Sequence, residues 1–251
     1  AYHAGNFADV VKHITLVALL EAMLRKETPC YVQDTHAGCG MYDLDSAEAA
    51  HGAEYATGIA RLLASPAAPD VVEKYVRLVR QFNPAQQLLH YPGSPAIIQQ
   101  MLREQDRLLL TELHPQDHES LYRQFRHDKR IAIHKQDAYQ GLKAFLPPQE
   151  KRGLVFIDPP YERKDEYERV VQGLELAYQR WRNGVFAIWY PLMSQRLQTM
   201  FLQDIKASGL RKILLAELLI EPLLAGKRFA GCGLLIVNPP WQLENTLAQC
   251  Y

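Results

Sequence analysis

Cysteine is scarce in this chain of 251 residues and badly placed for metal: Cys30, Cys39, Cys232 and Cys250 form no C-x-x-C pair. That spacing speaks against zinc and for a reduced, cytoplasmic protein. Long hydrophobic runs are missing too. A membrane helix needs roughly 18 to 20 apolar residues; the nearest approach, 14–24, is interrupted by Glu21, so no membrane partner is expected. The first residues carry His3, Asp9, Lys12 and His13 and do not read as a signal peptide. Neither charge is in excess, Lys+Arg and Asp+Glu both numbering 28. Nucleic-acid binders usually show a basic balance, so only a local basic face stays open. There is no internal repeat, no low-complexity tract and no complete G-x-G-x-x-G turn. The last absence disfavours a nicotinamide-dependent dehydrogenase.

What is present suits a soluble α/β protein. Hydrophobic residues make up 48% and charged residues 22%, enough for one domain over 1–251, with or without an insertion. Phe7, Val10, Val11, Ile14, Val17, Ala18 and Ala22 with Leu24 approximate a 3.6-residue stripe, predicting a helix over 7–26. Further helices are predicted over 47–64, 70–82, 96–105, 116–127, 138–145, 165–182 and 194–207. Strands are predicted over 30–35, 108–112, 130–134, 154–158, 185–190, 212–220 and 232–238, and Tyr91–Pro95 reads as a loop. Alternation of strand and helix implies a mostly parallel seven-stranded sheet, the last two strands closing it as an antiparallel pair.

Four strand ends carry polar or glycine residues. Asp34-Thr35-His36-Ala37-Gly38-Cys39-Gly40 follows the first strand, where glycine permits a tight turn and close approach of a ligand. An ordinary turn would look the same. Glu112 ends the next strand, where an acid accepts the ribose hydroxyls of a nucleotide-like cofactor in doubly wound folds. Such an acid usually follows the glycines by ~20 residues; here more than 70 intervene, so 44–90 reads as a helical insertion. Loop-closure entropy grows only logarithmically, which makes such an insertion tolerable. Asp137 follows the third strand and can accept an adenine amino group, cap the helix at 138–145, or do both. Asp158-Pro159-Pro160-Tyr161 follows the fourth. A carboxylate and a proline-locked carbonyl can accept the N–H bonds of a flat amino base while the aromatic ring stacks on it. Asn238-Pro239-Pro240-Trp241 has the same pattern, but its place after the last strand reads as a structural exit.

The tetrapeptide at 158–161 resembles the [DNS]-P-P-[YFW] motif of S-adenosylmethionine (SAM) dependent amino-group methyltransferases. The resemblance extends over almost the whole chain. It is carried by His3–His13, Asp34–Gly38, Tyr91–Pro95, Thr111–Pro115, Ile157–Tyr161, Trp189–Pro191 and Asn238–Trp241. Together these segments resemble the RlmJ family of ribosomal RNA large subunit methyltransferases, which methylate adenine N6 in 23S rRNA. The resemblance implies a Rossmann-like class I SAM-dependent fold with a small helical insertion. It implies SAM contacts from His13, His36, Ser94, Glu112 and Asp137, joined by Gly38 of the glycine turn. Asp158 is implied both as catalytic acceptor and as a cofactor neighbour, and Lys12 as facing the substrate. Family members carry a few residues upstream of His3, including an aromatic that looks substrate-facing. Ala1 and Tyr2 cover that region only in part, and a trimmed start is expected.

The expected chemistry follows from the base. Its amino nitrogen is a poor nucleophile because the lone pair is delocalised into the ring. Bonds to Asp158 and the Pro159 carbonyl would concentrate density on it, and Tyr161 would hold the ring. The base must be unpaired or flipped to reach such a pocket. Arg163 and Lys164, with Arg123, Arg126, Lys129, Arg130 and Lys135, are candidate phosphate contacts, although solvated charge is the commoner fate of any one. The expected partner is 23S rRNA and the expected state a monomer. A DNA adenine-N6 methyltransferase and a non-catalytic SAM-fold RNA-binding module are the alternatives.

Overall fold

The computed structural model describes residues 3–85, 87–223 and 229–251. Helix α1 (Phe7–Leu24) leads into β1 (Tyr31–Asp34). Then come β2 (Met41–Asp43), α2 (Ala47–Gly52), a 3-10 turn (Glu54–Ala56), α3 (Ile59–Leu63), α4 (Asp70–Gln81) and β3 (His90–Pro92). Next are α5 (Ser94–Met101), β4 (Arg107–Thr111), α6 (Pro115–Phe125), β5 (Ile131–His134), α7 (Ala138–Phe145) and β6 (Gly153–Ile157). The chain closes with α8 (Glu166–Arg180), β7 (Val185–Leu192), α9 (Gln195–Ala207), β8 (Ile213–Leu219), β9 (Gly231–Val237) and α10 (Leu243–Leu247).

Seven strands form one sheet in the order β5-β4-β1-β6-β7-β9-β8. All run parallel except β9, which is antiparallel to both β7 and β8. The expected doubly wound sheet, with its last two strands an antiparallel pair, is therefore present. Strands β1, β6 and β9 are buried at every residue, which is why they read as apolar runs rather than alternating patterns. One face packs under α1, α4, α5, α6 and α10 and the other under α7, α8 and α9. Caps set several helix starts: Asn6, Ser46, Asp137 and Ser194 each accept a first-turn N–H.

Helix α1 is more enclosed than a single stripe implies, with Val10, Leu16, Val17, Leu19 and Leu20 all buried. It lies between β9 and the helices α4, α5 and α10, so it has no broad solvent face. The predicted helix at 47–64 is three short pieces. Ala53 adopts left-handed φ 45° and ends α2. Gly58 then passes the N-terminal segment so closely that a Cβ there would lie 2.1 Å from the Gly5 carbonyl oxygen. Ile59 N–H donates to that same carbonyl at 2.9 Å. Tyr91-Pro92, predicted as loop, pairs with Met41-Tyr42 in a small two-stranded sheet, and α10 is an element the periodicity did not indicate. The prediction for Ala1-Tyr2 lies outside the described residues, as does part of the β8–β9 connection.

Candidate active site

Sheet register locates the site before any side chain is considered. Asp34 pairs with Leu110 and Phe156, and Ile157 with Ile188. Carrying each register past its last paired residue sets Glu112, His36, Asp158 and Trp189 side by side on the carboxyl edge. Lys135 continues the row beyond Glu112. Chain order reverses at β1, and ligands of open α/β sheets bind outside the carboxyl ends at such a point.

Asp158 is largely buried, and its Oδ2 accepts from Lys12 Nζ at 2.6 Å. Burial pushes its carboxyl above the ordinary value, with the Lys12 ammonium opposing. Burial would lower the Lys12 value, but Asp158 and Asp9 outweigh it and hold the ammonium well above the ordinary range. Tyr161 follows at φ 51°, a left-handed conformation uncommon for an aromatic residue and typical of constrained functional turns. Its hydroxyl donates to the Trp189 carbonyl at 2.9 Å. Its ring lies 4.7 Å from Tyr167 and 5.9 Å from Trp189, centroid to centroid. Pro159 is buried and Pro160 exposed. An acceptor and an aromatic wall thus face one place at the sheet edge.

The predicted cofactor residues line the neighbouring strand ends. Gly38 has φ 61°, and a Cβ there would lie 2.7 Å from the Tyr42 hydroxyl. Its N–H donates to Glu112 Oε2 at 2.8 Å, while Glu112 Oε1 accepts from His114 N–H at 2.7 Å. Two bonds leave a carboxylate with unused acceptor capacity. Asp137 Oδ1 caps α7 through the Tyr139 and Gln140 N–H groups at 3.0 and 3.1 Å, and its Oδ2 pairs with Arg169 at 3.2 Å. The helix-cap reading of Asp137 is therefore realised. His36 lies edge-on to Tyr139 at 6.0 Å, and burial pulls its imidazole down to about 4, so it is neutral at pH 7. Ser94 opens α5 and is buried beside Asp34. His13 bonds Tyr91 Oη at 2.8 Å inside the α1–α4 interface, and burial, assisted by Lys12, pulls it down to about 3.

Two residues that sequence reasoning did not select belong to this neighbourhood. Asp34 is fully buried, its Oδ2 makes no well-aligned hydrogen bond among the described residues, and burial pushes its carboxyl up to about 7 with the neighbouring Ser94 hydroxyl opposing. An orphaned carboxylate oxygen beside a glycine cradle suits a ligand that brings a cationic donor, as SAM does. Asp9 contacts Lys12 at 2.6 Å; its spacing of three residues before Lys12 on one helix was the available signal.

Asn238-Pro239-Pro240-Trp241 lies elsewhere. Because β9 is antiparallel, Val237 pairs with Phe186 at the start of β7, so the second tetrapeptide leaves at the amino edge. Asn238 is tied to the Arg182 and Gly184 carbonyls at 2.8 and 2.9 Å, and Trp241 is 85% exposed. The basic candidates divide in the same way. Arg126, Lys129 and Arg130 precede β5 on the amino edge, and Arg130 is engaged by Asp128 at 2.6 Å. Lys135, Arg163 and Lys164 lie at the carboxyl edge, with Arg163 paired to Asp165 at 3.0 Å.

A family model described as "Ribosomal RNA large subunit methyltransferase D, RlmJ" matches residues 27–251. The chain belongs to this family. Two relatives named ribosomal RNA large subunit methyltransferase J agree with RlmJ membership. The protein from Escherichia coli strain K12 is 43% identical over 98% of this chain and 88% of its own length. That from Haemophilus influenzae is 42% identical over 99% of this chain and 89% of its own. A crystal structure of a Legionella pneumophila protein superposes with a TM-score of 0.90 at 38% identity, covering 99% of this chain and 91% of that one.

Proposed function

We propose that this RlmJ-family protein transfers the methyl group of SAM to the N6 amino group of an adenine in 23S rRNA, with Asp158 as the acceptor that holds the amino group. Family membership makes the chain a SAM-dependent methyltransferase of ribosomal RNA. The observation that carries the site assignment is Asp158 at the carboxyl edge, held by Lys12 and walled by Tyr161 and Trp189. SAM, when bound, supplies an electrophilic methyl group on a sulfonium centre. Glu112, with Gly38, would hold its ribose, Asp137 and His36 its adenine end, and Ser94, Asp34 and His13 its aminoacyl end.

The chain's own part is positioning. Asp158 Oδ1 and the Pro159 carbonyl accept the two N–H bonds of the target amino group, concentrating density on the nitrogen. Tyr161 stacks on the ring, fixed by its bond to the Trp189 carbonyl. As the nitrogen becomes cationic, Asp158 or water takes its proton. Prepositioned acceptors in a largely buried site supply most of the acceleration. Lys135, Arg163 and Lys164 flank the same edge for RNA phosphate. The proposal treats 44–90 as an insertion subdomain and the protein as a cytoplasmic monomer, the four free cysteines being what supports a reducing compartment.

The test is methyl transfer from labelled SAM to naked 23S rRNA, assembled large subunits and DNA in parallel. Label in adenine N6 of rRNA is expected. Label in DNA alone would select the DNA enzyme, and RNA binding without transfer would select the non-catalytic module.

A further inference from the structure

Lys12 does not serve Asp158 alone. Its Nζ stands 2.6 Å from Asp158 Oδ2 and 2.6 Å from Asp9 Oδ1, with the three side chains 13%, 17% and 18% exposed respectively. Asp9 is itself fixed. Its Oδ2 accepts the Gly5 N–H at 3.0 Å and its own N–H donates to Asn6 Oδ1 at 2.9 Å. Asn6 in turn donates to Glu54 Oε2 at 2.9 Å. Asp158 has no bond to Oδ1 among the described residues.

A lysine ammonium is a point charge on a flexible stem and takes the position its partners give it. With one carboxylate partner it would settle wholly on Asp158, competing with the base for both oxygens. We propose that Asp9 is a positioning residue for the reaction: by sharing the Lys12 ammonium it holds that cation on Asp158 Oδ2 and leaves Oδ1 free and basic enough to accept from the adenine amino group. The proposal rests on the acceptor role given to Asp158 above.

Charge accounting agrees with the geometry. Asp158 is faced by Lys12 and Asp9 from α1, by Asp34 from β1, Tyr42 from β2, Cys232 from β9 and Tyr161 from its own turn, while His13 faces Lys12 and Asp9. His13 is neutral at neutral pH. Burial pushes the Asp34 carboxyl up to about 7, so its signal must be separated from that of Asp158. Asp9 acts to raise the Asp158 value and Lys12 to lower it. Removing the Asp9 charge therefore moves Asp158 downward, toward a weaker base.

The experiment is a carboxyl 13C NMR titration of the full chain, wild type against Asp9→Asn, with kcat on 23S rRNA and SAM affinity by calorimetry alongside. Asp9→Asn is expected to lower the Asp158 midpoint by about one pH unit. It should reduce kcat about tenfold to a hundredfold and leave SAM affinity within about twofold. Asp9→Glu should restore most of both, and it serves as the test if Asp9→Asn melts early. An Asp158 midpoint that stays or rises, or a kcat loss with an unmoved midpoint, overturns the proposal. A wild type that transfers no methyl to rRNA speaks against the function, while the NMR shift still decides the role of Asp9.

Discussion

Asparagine at position 158 keeps the shape of the acceptor and removes its charge. The carboxylate meets a donor on one side, Lys12 Nζ at 2.6 Å, and on the proposed reading a second donor, the base amino group, on the other. An amide offers one acceptor and one donor head. In either flip one of those two contacts becomes donor against donor. Losing a charge-assisted hydrogen bond costs about 1.5–3 kcal/mol, or about tenfold to 150-fold. Losing a positioned proton acceptor removes about 10²–10⁴ more. The smaller values multiply to about 10³, so Asp158→Asn should lower kcat at least about a thousandfold, and Asp158→Ala likewise. The Gly38–Glu112 bond and the Asp137 cap are not touched. SAM affinity should therefore stay within about fivefold, since contacts at separated positions act nearly independently. Single-turnover transfer of labelled methyl, read beside calorimetry with SAM, measures both. Turnover within tenfold of wild type would refute the acceptor role.

Glu112→Ala frees the Gly38 and His114 N–H groups and should weaken SAM binding at least about tenfold, the value of one charged hydrogen bond; unchanged affinity by calorimetry would move the ribose site elsewhere. Tyr161→Ala should raise the KM for RNA about fivefold to 150-fold, the worth of one stacked base at ~1–3 kcal/mol. Tyr161→Phe, which keeps the ring and loses only the bond to the Trp189 carbonyl, should fall between the alanine variant and wild type, and an unaltered KM in the alanine variant would remove the stacking role. The Asp34 carboxyl lies at about 7 in the fold against 3.8 unfolded. Its contribution to stability is full below pH 3.8 and is lost as pH rises through 7. His13 and His36, held at about 3 and 4 against 6.5, act oppositely and lose stability as pH falls below 6.5. Asp34→Asn should therefore melt higher than wild type by a margin that opens between pH 4 and 7; a margin constant over that range would show that Asp34 does not titrate there.

The strand ends were legible because each combines an apolar run with a residue that such a run does not otherwise contain. Gly38, Glu112, Asp137 and Asp158 all fall on one edge once the strands are parallel. The spacing of Glu112 pointed to added chain over 44–90, but the local structure there was not legible. Ala53 adopting left-handed φ and Gly58 meeting the Gly5 carbonyl are tertiary constraints with no periodic signal. The Tyr91 strand was hidden by its flanking prolines and glycine, which read as loop. His13 could not be selected from the residues alone, because its bond to Tyr91, and that of Tyr91 to Tyr75 at 2.9 Å, joins segments far apart in sequence. Asp34 was masked by its neighbours, since a strand-end acid beside glycines looks solvated until its burial is known.

The two Pro-Pro tetrapeptides show which kind of information decides function here. Both follow a fully buried strand, and both place an aromatic two residues after the first proline. Strand direction separates them: β6 is parallel and delivers Asp158 to the carboxyl edge, whereas β9 is antiparallel and delivers Asn238 to the amino edge. Along β7, the level of Asp158 (Trp189) lies four residues beyond the level of Asn238 (Val185), about 13 Å at the rise of an extended strand. Backbone conformation separates them again. In the first it is the aromatic, Tyr161, that takes positive φ and turns back against Trp189; in the second it is Asn238, whose Nδ2 donates to two backbone carbonyls. Those two bonds turn the amide toward the loop before β7, and a tryptophan 85% exposed has no second wall with which to hold a base. On the proposed reading the four-residue pattern serves as an acceptor site where a parallel strand presents it beside a cation and a second aromatic, an arrangement found among the described residues at Asp158.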